Sequence, residues 1–301
     1  SQFKVPLIQS GFINYSSESV PQTLVDVHNK SEVKFISDGN ALVYGSFEGH
    51  RSKPMSKVKL SPISHILSDY GYKVEHGPPV MKGWEPWRNN LLPSLDKNTF
   101  INTDIMMSCA ENFAKDIIKG LKKEDLDKMI EYDDFTVVNG AQSVRFVDKM
   151  NRSTSAGFPF NKSKRYFLED IDPQFGLQDP VEFNEEIRKR IELCKSRYEN
   201  KTQYHPIYNA SLKDEARSFK KIQQKNTRVF TGGCVEHIAV TRQELLSYTK
   251  VMQENKYVTE CAAGTIAQSI EWDNLYKYLT QYGEDRCFDG DYAKLTKVWN
   301  H

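Results

Sequence analysis

Between Ser211 and Phe230 the chain reads SLKDEARSFKKIQQKNTRVF, which sets Lys213, Arg217, Lys220, Lys221, Lys225 and Arg228 against only Asp214 and Glu215. The local excess is four positive charges, while the whole 301-residue chain carries +1. Charge concentrated in this way attracts anionic ligands. A planar, permanently charged fork such as Arg228, joined by point charges such as Lys213 and Lys221, is the donor set a triphosphate needs. The alternative is a solvated lysine-rich face. An exposed helix would space Glu and Lys four apart for mutual support. Instead Phe219, Ile222, Val229 and Phe230 supply apolar anchors, so a β-ribbon with basic teeth fits better, with Arg217 bracing it through Asp214 or Glu215.

Two further stretches carry chemistry. Asn151 to Asp170 reads NRSTSAGFPFNKSKRYFLED. Gly157 permits a close backbone approach, Pro159 stiffens the loop, and the hydroxyls of Ser153, Thr154 and Ser155 can bond phosphate or ribose. Lys162, Lys164 and Arg165 add charge suited to a nucleic-acid backbone. Read alone, Ser-Ala-Gly-Phe-Pro is equally a turn with aromatic anchors. The last stretch, DRCFDGDYAKLTKVWNH, begins at Asp285. Its Asp-Gly-Asp is either a turn or helix cap, or a carboxylate at the tip of a strand formed by Arg286, Cys287 and Phe288.

The elements that must position these residues are partly visible. Ile105, Cys109, Phe113, Ile117 and Leu121 recur every fourth residue, which marks an amphipathic helix interrupted at Gly120. A second helix is expected with Asp179 as its cap, Pro180 in its first turn, and Phe183, Ile187, Ile191 and Cys194 along one face. Arg188, Lys189 and Arg190 fall on its other, solvated face. A third runs from about Ile238 into Gln253, and a fourth starts near Ala267 and includes Trp272 and Leu279. Four prolines between Gly77 and Thr99 preclude a long helix there, and Trp84 and Trp87 fasten that segment to the body. Lys53, Lys57 and Lys59 alternate with Val58 and Leu60 in a basic strand, readable also as an edge strand kept charged against pairing. Short apolar alternations occur at Val33 to Ile36 and Ala41 to Tyr44.

Composition is that of a soluble globular chain with one large or two smaller domains. No apolar run reaches the roughly 18 residues of a membrane span, and the first residues lack a signal-peptide pattern. A cytosolic location is expected. The five cysteines are scattered and unpaired in pattern, so neither a disulfide framework nor a zinc site is indicated, and they read as small buried apolar residues. His237 receives no role.

The Lys-Asp-Glu head, the Lys-Lys-Ile pair and the Thr-Arg-Val-Phe tail of the basic stretch resemble motif F of picorna-like viral RNA-dependent RNA polymerases. Asn151 to Phe160 resembles the Thr-Ser-Ala-Gly-Tyr-Pro-Tyr segment of the same family, with Phe158 and Phe160 where tyrosine is common. Its wording is nearest to dicistroviruses and iflaviruses. Asp285 onward resembles motif A, with Asp291 as the metal carboxylate. In that motif a second aspartate five positions later checks the ribose 2′-hydroxyl; this sequence has Thr296, which can hydrogen-bond but lacks the charge. The other register, from Asp289, puts Lys294 there.

The resemblance implies an α+β fold of right-hand polymerase architecture, the fingers and the beginning of the palm. Residues 1–95 would be an N-terminal extension and index finger, 96–237 the fingers with the motif F ribbon, and 238–301 the start of the palm. Lys213, Arg217, Lys221, Arg228 and Thr296 would bind nucleoside triphosphate. Ser155, Gly157, Phe158, Lys164 and Arg165 would meet RNA. Asp291 would be catalytic and would hold Mg²⁺ or Mn²⁺. Implied partners are RNA template and primer, nucleoside triphosphates and viral replication proteins, in a replication complex of the host cytoplasm. No Gly-Asp-Asp occurs in the sequence, so an incomplete and inactive piece without thumb is expected. A non-catalytic RNA-binding or protein-interaction module is the rival reading.

Overall fold

In the computed structural model the described residues are 33–37, 42–46, 55–83, 85–91 and 102–290. The fold is mixed α and β. The chain begins with strands β1 (Val33–Ser37) and β2 (Leu42–Ser46), paired antiparallel, where the short apolar alternations lie. Then come α1 (Ser64–Asp69), β3 (His76–Gly77) and α2 (Glu85–Leu91). Next are α3 (Thr103–Gly120), α4 (Lys123–Leu126), α5 (Asp134–Asn139), β4 (Leu168–Asp170), β5 (Val181–Phe183) and α6 (Glu185–Glu199). The basic stretch supplies β6 (Asn209–Leu212), β7 (Arg217–Ser218), α7 (Phe219–Gln223) and β8 (Val229–Gly232). Helices α8 (Val235–Glu254), α9 (Lys256–Thr259) and α10 (Ile270–Leu279) follow. The described strands form four separate pairs, β1 with β2, β3 with β7, β4 with β5, and β6 with β8.

Two compact units result. One holds Ser1–Phe100, Ala210–Thr231 and Tyr292–His301; the other holds Ile101–Asn209 and Gly232–Asp291. The basic stretch therefore belongs with the N-terminal part of the chain, although it lies more than a hundred residues further on.

The second unit is built around α6 and α8. Ile187, Ile191 and Cys194 from α6 bury against Val235, Ala239 and Val240 from α8, with Val137 and Val138 of α5 and Phe183 of β5 closing the cluster. Such spacing of three and four residues is what puts one helix face into a core. Asn184, not Asp179, caps α6: its side chain accepts the Ile187 N–H at 3.1 Å. The expected first turn is instead β5, because Val181 and Phe183 pair with Asp170 and Leu168 of β4, and ladder bonds outcompete a helical start. Helix α3 ends at Gly120 as its spacing predicts. A Cβ there would lie 2.6 Å from Val258 of α9, so only glycine admits that packing. Of the α3 stripe, Ile117 and Leu121 are buried with Val251, whereas Ile105 and Phe113 are exposed. Periodicity marks a helix but does not supply its cover.

Several other expectations are corrected. Residues 284–286 form a 3₁₀ turn rather than the start of a strand, and Phe288 is fully exposed. No described strand lies beside them to complete a ladder, and a lone strand leaves its backbone groups unpaired. Residues 57–60 are irregular, not a strand; Lys53 lies outside the described residues, as does Trp84. Trp87 is buried on the short α2, as an anchor should be. Cys194 and Cys234 are buried, but Cys109 and Cys287 are exposed.

Candidate nucleotide and RNA interface

In the first unit the basic stretch is a ribbon at its ends and a helical turn at its middle. Strands β6 and β8 pair, and the Lys213 N–H continues the pairing onto the Arg228 carbonyl at 2.8 Å. Lys220 and Lys221, expected as ribbon teeth, sit instead on α7. The physical reason is local: β7 pairs with β3 for two residues, after which the Phe219 N–H reaches the Glu75 carbonyl at 3.1 Å and the chain turns.

Glu215 organises the cations. Its carboxylate lies 2.9 Å from the Lys213 ammonium, 3.4 Å from Arg228 and 3.6 Å from Arg217. Burial pushes its carboxyl up, but the Lys213 bond and the charges of Arg228 and Arg217 outweigh that and hold it below the ordinary carboxylate value. Arg217 is largely buried and also donates to the Asn226 carbonyl at 3.2 Å, the bracing role expected of it. Lys213 and Arg228 are exposed, so their remaining donors face solvent. Asp214 accepts from the Lys57 N–H at 2.7 Å and from the Ser56 hydroxyl.

The ribbon's backbone is held by residues that carry no charge. Thr227, almost fully buried, donates its hydroxyl to the Val80 carbonyl at 2.6 Å. Asn90 donates to the Thr227 carbonyl at 2.5 Å and Asn89 to the Gln224 carbonyl at 2.9 Å. Lys225 pairs with Glu85 at 3.0 Å. Sequence reasoning gave no role to Asn89 and Asn90, and none to Thr227 beyond its place in the Thr-Arg-Val-Phe tail. Nothing local marks them, since their partners lie more than 130 residues away.

In the second unit the loop from Asn151 folds back on itself. The Ala156 N–H donates to the Lys162 carbonyl at 2.7 Å, and the Ala156 carbonyl accepts the Val235 N–H at the start of α8 at 2.8 Å. Gly157 has φ +79°, and a Cβ on it would stand 2.5 Å from the Gly233 carbonyl and 2.8 Å from the Cys234 Cα. The close approach expected of this glycine is therefore to the entry of α8. Phe160 packs against Phe167 with ring centres 4.4 Å apart and the rings tilted by 42°, and the Arg190 guanidinium lies over the Phe160 ring at 4.8 Å.

Lys164 is turned inward. It is 5% exposed, and its ammonium donates to the Thr154 hydroxyl at 2.6 Å and the Ser155 carbonyl at 2.9 Å. Burial lowers its ammonium below the ordinary lysine value. Geometry thus gives it the loop itself as partner. Ser155, Phe158, Lys162 and Arg165 are exposed on the same loop. Arg190, expected on a solvated face, approaches the buried Glu236 at 3.5 Å. Arg152 and Asn139 were also missed: the buried Asn139 amide bonds both the N–H and the carbonyl of Val181 at 2.9 Å and accepts from Arg152 at 2.8 Å, which ties the loop's first residues to β5.

Asp291 and Thr296 lie outside the described residues. Among the described residues no group of three or more His, Cys, Asp or Glu side chains is disposed to hold a metal ion, and no helix is long and apolar enough to cross a membrane.

Residues 88–295 match the family of viral RNA-dependent RNA polymerases. The chain belongs to that family. It is 26% identical over 224 residues to the replicase polyprotein of Drosophila C virus, covering 69% of this chain and 12% of the polyprotein. It is 26% identical over 176 residues to that of acute bee paralysis virus, covering 58% and 9%. With the RNA1 polyprotein of cowpea mosaic virus the identity is 25% over 279 residues, covering 84% and 14%. The first two relatives bear out the dicistrovirus likeness expected from the sequence. Among solved structures, the Sicinivirus 3Dpol RNA-dependent RNA polymerase aligns with TM-score 0.53 and 16% identity, over 77% of this chain and 45% of that one. That likeness concerns the fold. The chain spans less than half of that structure and about an eighth of the first polyprotein.

Proposed function

We propose that this polymerase chain takes part in template-directed RNA synthesis for a positive-strand RNA virus, and that it forms the fingers and the first part of the palm. The observation that carries the reading is the cation set around Glu215, where Lys213 and Arg228 stand side by side on a ribbon braced by Arg217. Held there without reorganisation, the two exposed cations would bind the incoming triphosphate and stabilise charge as the β-phosphate leaves. Lys221 on α7 adds long-range attraction.

The loop of Ser155, Gly157, Phe158 and Arg165 is assigned to RNA, with Lys164 holding the loop's shape. Asp291 is the residue we assign to a divalent ion, Mg²⁺ or Mn²⁺, whose chemistry in polymerases is to activate the attacking oxygen and steady the leaving phosphate. Thr296 is assigned to the sugar of the incoming nucleotide. RNA template and primer, nucleoside triphosphates and viral replication proteins are the proposed partners, in the host cytoplasm.

The test is primer extension by the polymerase that contains this sequence. Arg228→Ala and Lys213→Ala should each raise KM for nucleotide and lower kcat/KM by about tenfold or more, and Asp291→Ala should abolish extension. Extension that is indifferent to all three would leave a non-catalytic RNA-binding role as the better reading.

A further inference from the structure

A cavity of about 500 Å³ opens in the second unit between the start of α5, β5, α6 and α8. It is unrelated to the three stretches assigned above. Both of its cations have an acidic neighbour: Arg188 lies 3.4 Å from Glu182, with its buried Nε without an acceptor among the described residues, and Lys195 pairs with Glu131. The Asp133 carboxylate is occupied in capping α5, accepting the Thr136 N–H at 2.7 Å.

Asp134 differs. Its Oδ1 accepts from the Gln243 side-chain amide at 2.7 Å, and among the described residues no ammonium or guanidinium forms an ion pair with it. Burial lifts its carboxyl above the ordinary value, and neighbouring Asp133 adds to that against the pull of Lys195. Gln243 is 4% exposed and forms part of the cavity wall. Because a carboxylate only accepts, the amide nitrogen must face Asp134, and this leaves Gln243 Oε1 as a buried acceptor with no donor among the described residues. A half-buried carboxylate and a buried orphan carbonyl beside each other call for the same thing, a cation that carries N–H groups. Tyr132 and Phe135 supply apolar wall, and the described residues contain no cluster fit for a metal ion.

We propose that this cavity binds a primary alkylammonium group, which donates to Asp134 and to the Gln243 carbonyl oxygen while its methylenes lie along Tyr132 and Phe135. The ammonium can come from a free diamine or polyamine, or from a lysine side chain of a bound peptide.

Calorimetric titration of the protein with 1,5-diaminopentane, and separately with a short lysine-containing peptide and its acetyl-lysine counterpart, tests this. Saturable binding of one probe is expected, and which of the two binds identifies the source. The acetylated peptide should not bind. Asp134→Asn keeps the shape of the site and should weaken binding about tenfold or more, since the bond lost is charge-assisted. Lys195→Met removes a competing positive charge and should tighten it. No binding of either probe would overturn the proposal. So would affinities unchanged by both substitutions, which is the behaviour of a merely acidic surface.

Discussion

Lys213 donates its backbone N–H to the carbonyl of Arg228 at 2.8 Å, so the two cations stand opposite one another across the ribbon with the Glu215 carboxylate between their side chains. Two like charges are thereby held within reach of a single anionic ligand. The arrangement depends on one acidic residue in a stretch otherwise notable for its basicity.

Glu215→Gln should separate stability from binding. Partly exposed ion pairs contribute only about 0.2–1 kcal/mol each, so melting should fall by a few degrees at most. The nucleotide KM of the polymerase should rise several-fold, because Lys213 and Arg228 lose the anion that holds them together. Since Glu215 stays ionised below the ordinary carboxylate range, this brace is fully present at neutral pH and is lost only as pH falls through its lowered value.

Arg217→Ala and Arg228→Ala should behave as opposites. Arg217 is largely buried, donates to the Asn226 carbonyl and lies 3.6 Å from the Glu215 carboxylate, so its loss should cost about 1–3 kcal/mol of stability. Arg228 is exposed, so its loss should leave the melting temperature nearly unchanged and weaken triphosphate binding. Thermal melts beside nucleotide titrations of both variants check the pair.

Gly157→Ala should destabilise the second unit. A left-handed backbone costs a non-glycine residue about 1–3 kcal/mol, and the added Cβ would meet the Gly233 carbonyl at 2.5 Å. Denaturant unfolding should show the loss, and hydrogen exchange should show it concentrated at the loop and the first turn of α8.

Lys164→Met and Arg165→Ala test which cation of the loop faces RNA. The inward ammonium of Lys164 bonds Thr154 and Ser155, so its removal should lower stability and leave the salt dependence of RNA binding unchanged. Arg165 is exposed, and its removal should reduce the slope of log affinity against log salt by about 1.

Glu271 predicts an acid transition at α10. Hydrogen bonds from Arg145, from the Ile266 N–H at 3.2 Å and from Lys256 at 3.2 Å hold its carboxyl at about 2, against an ordinary 4.5. A lowered carboxylate stabilises fully above its ordinary value, and that contribution is lost as pH falls toward the lowered one. The protection of α10 amides, measured against their intrinsic exchange rate at each pH, should therefore fall between about pH 4.5 and 2. In Glu271→Gln it should already be lower at neutral pH.

The sequence by itself determined the four longest of the described helices and the charge. Apolar spacing announced α3, α6, α8 and α10, and the glycines marked an interruption at 120 and a place at 157 where another backbone can approach, since periodicity and backbone freedom are local. The excess of cations between Ser211 and Phe230 was equally plain. Tertiary structure alone decided which of those charges face solvent: Arg217 and Lys164 turn inward, Arg190 reaches Glu236, and Lys213 and Arg228 stay exposed. It also decided what holds them, through Thr227 on Val80, Asn90 on Thr227, and Asn139 on Val181. A side chain's accessibility depends on which distant segment packs over it, and hydrogen bonds spanning from 40 to nearly 150 residues leave no local periodicity to read.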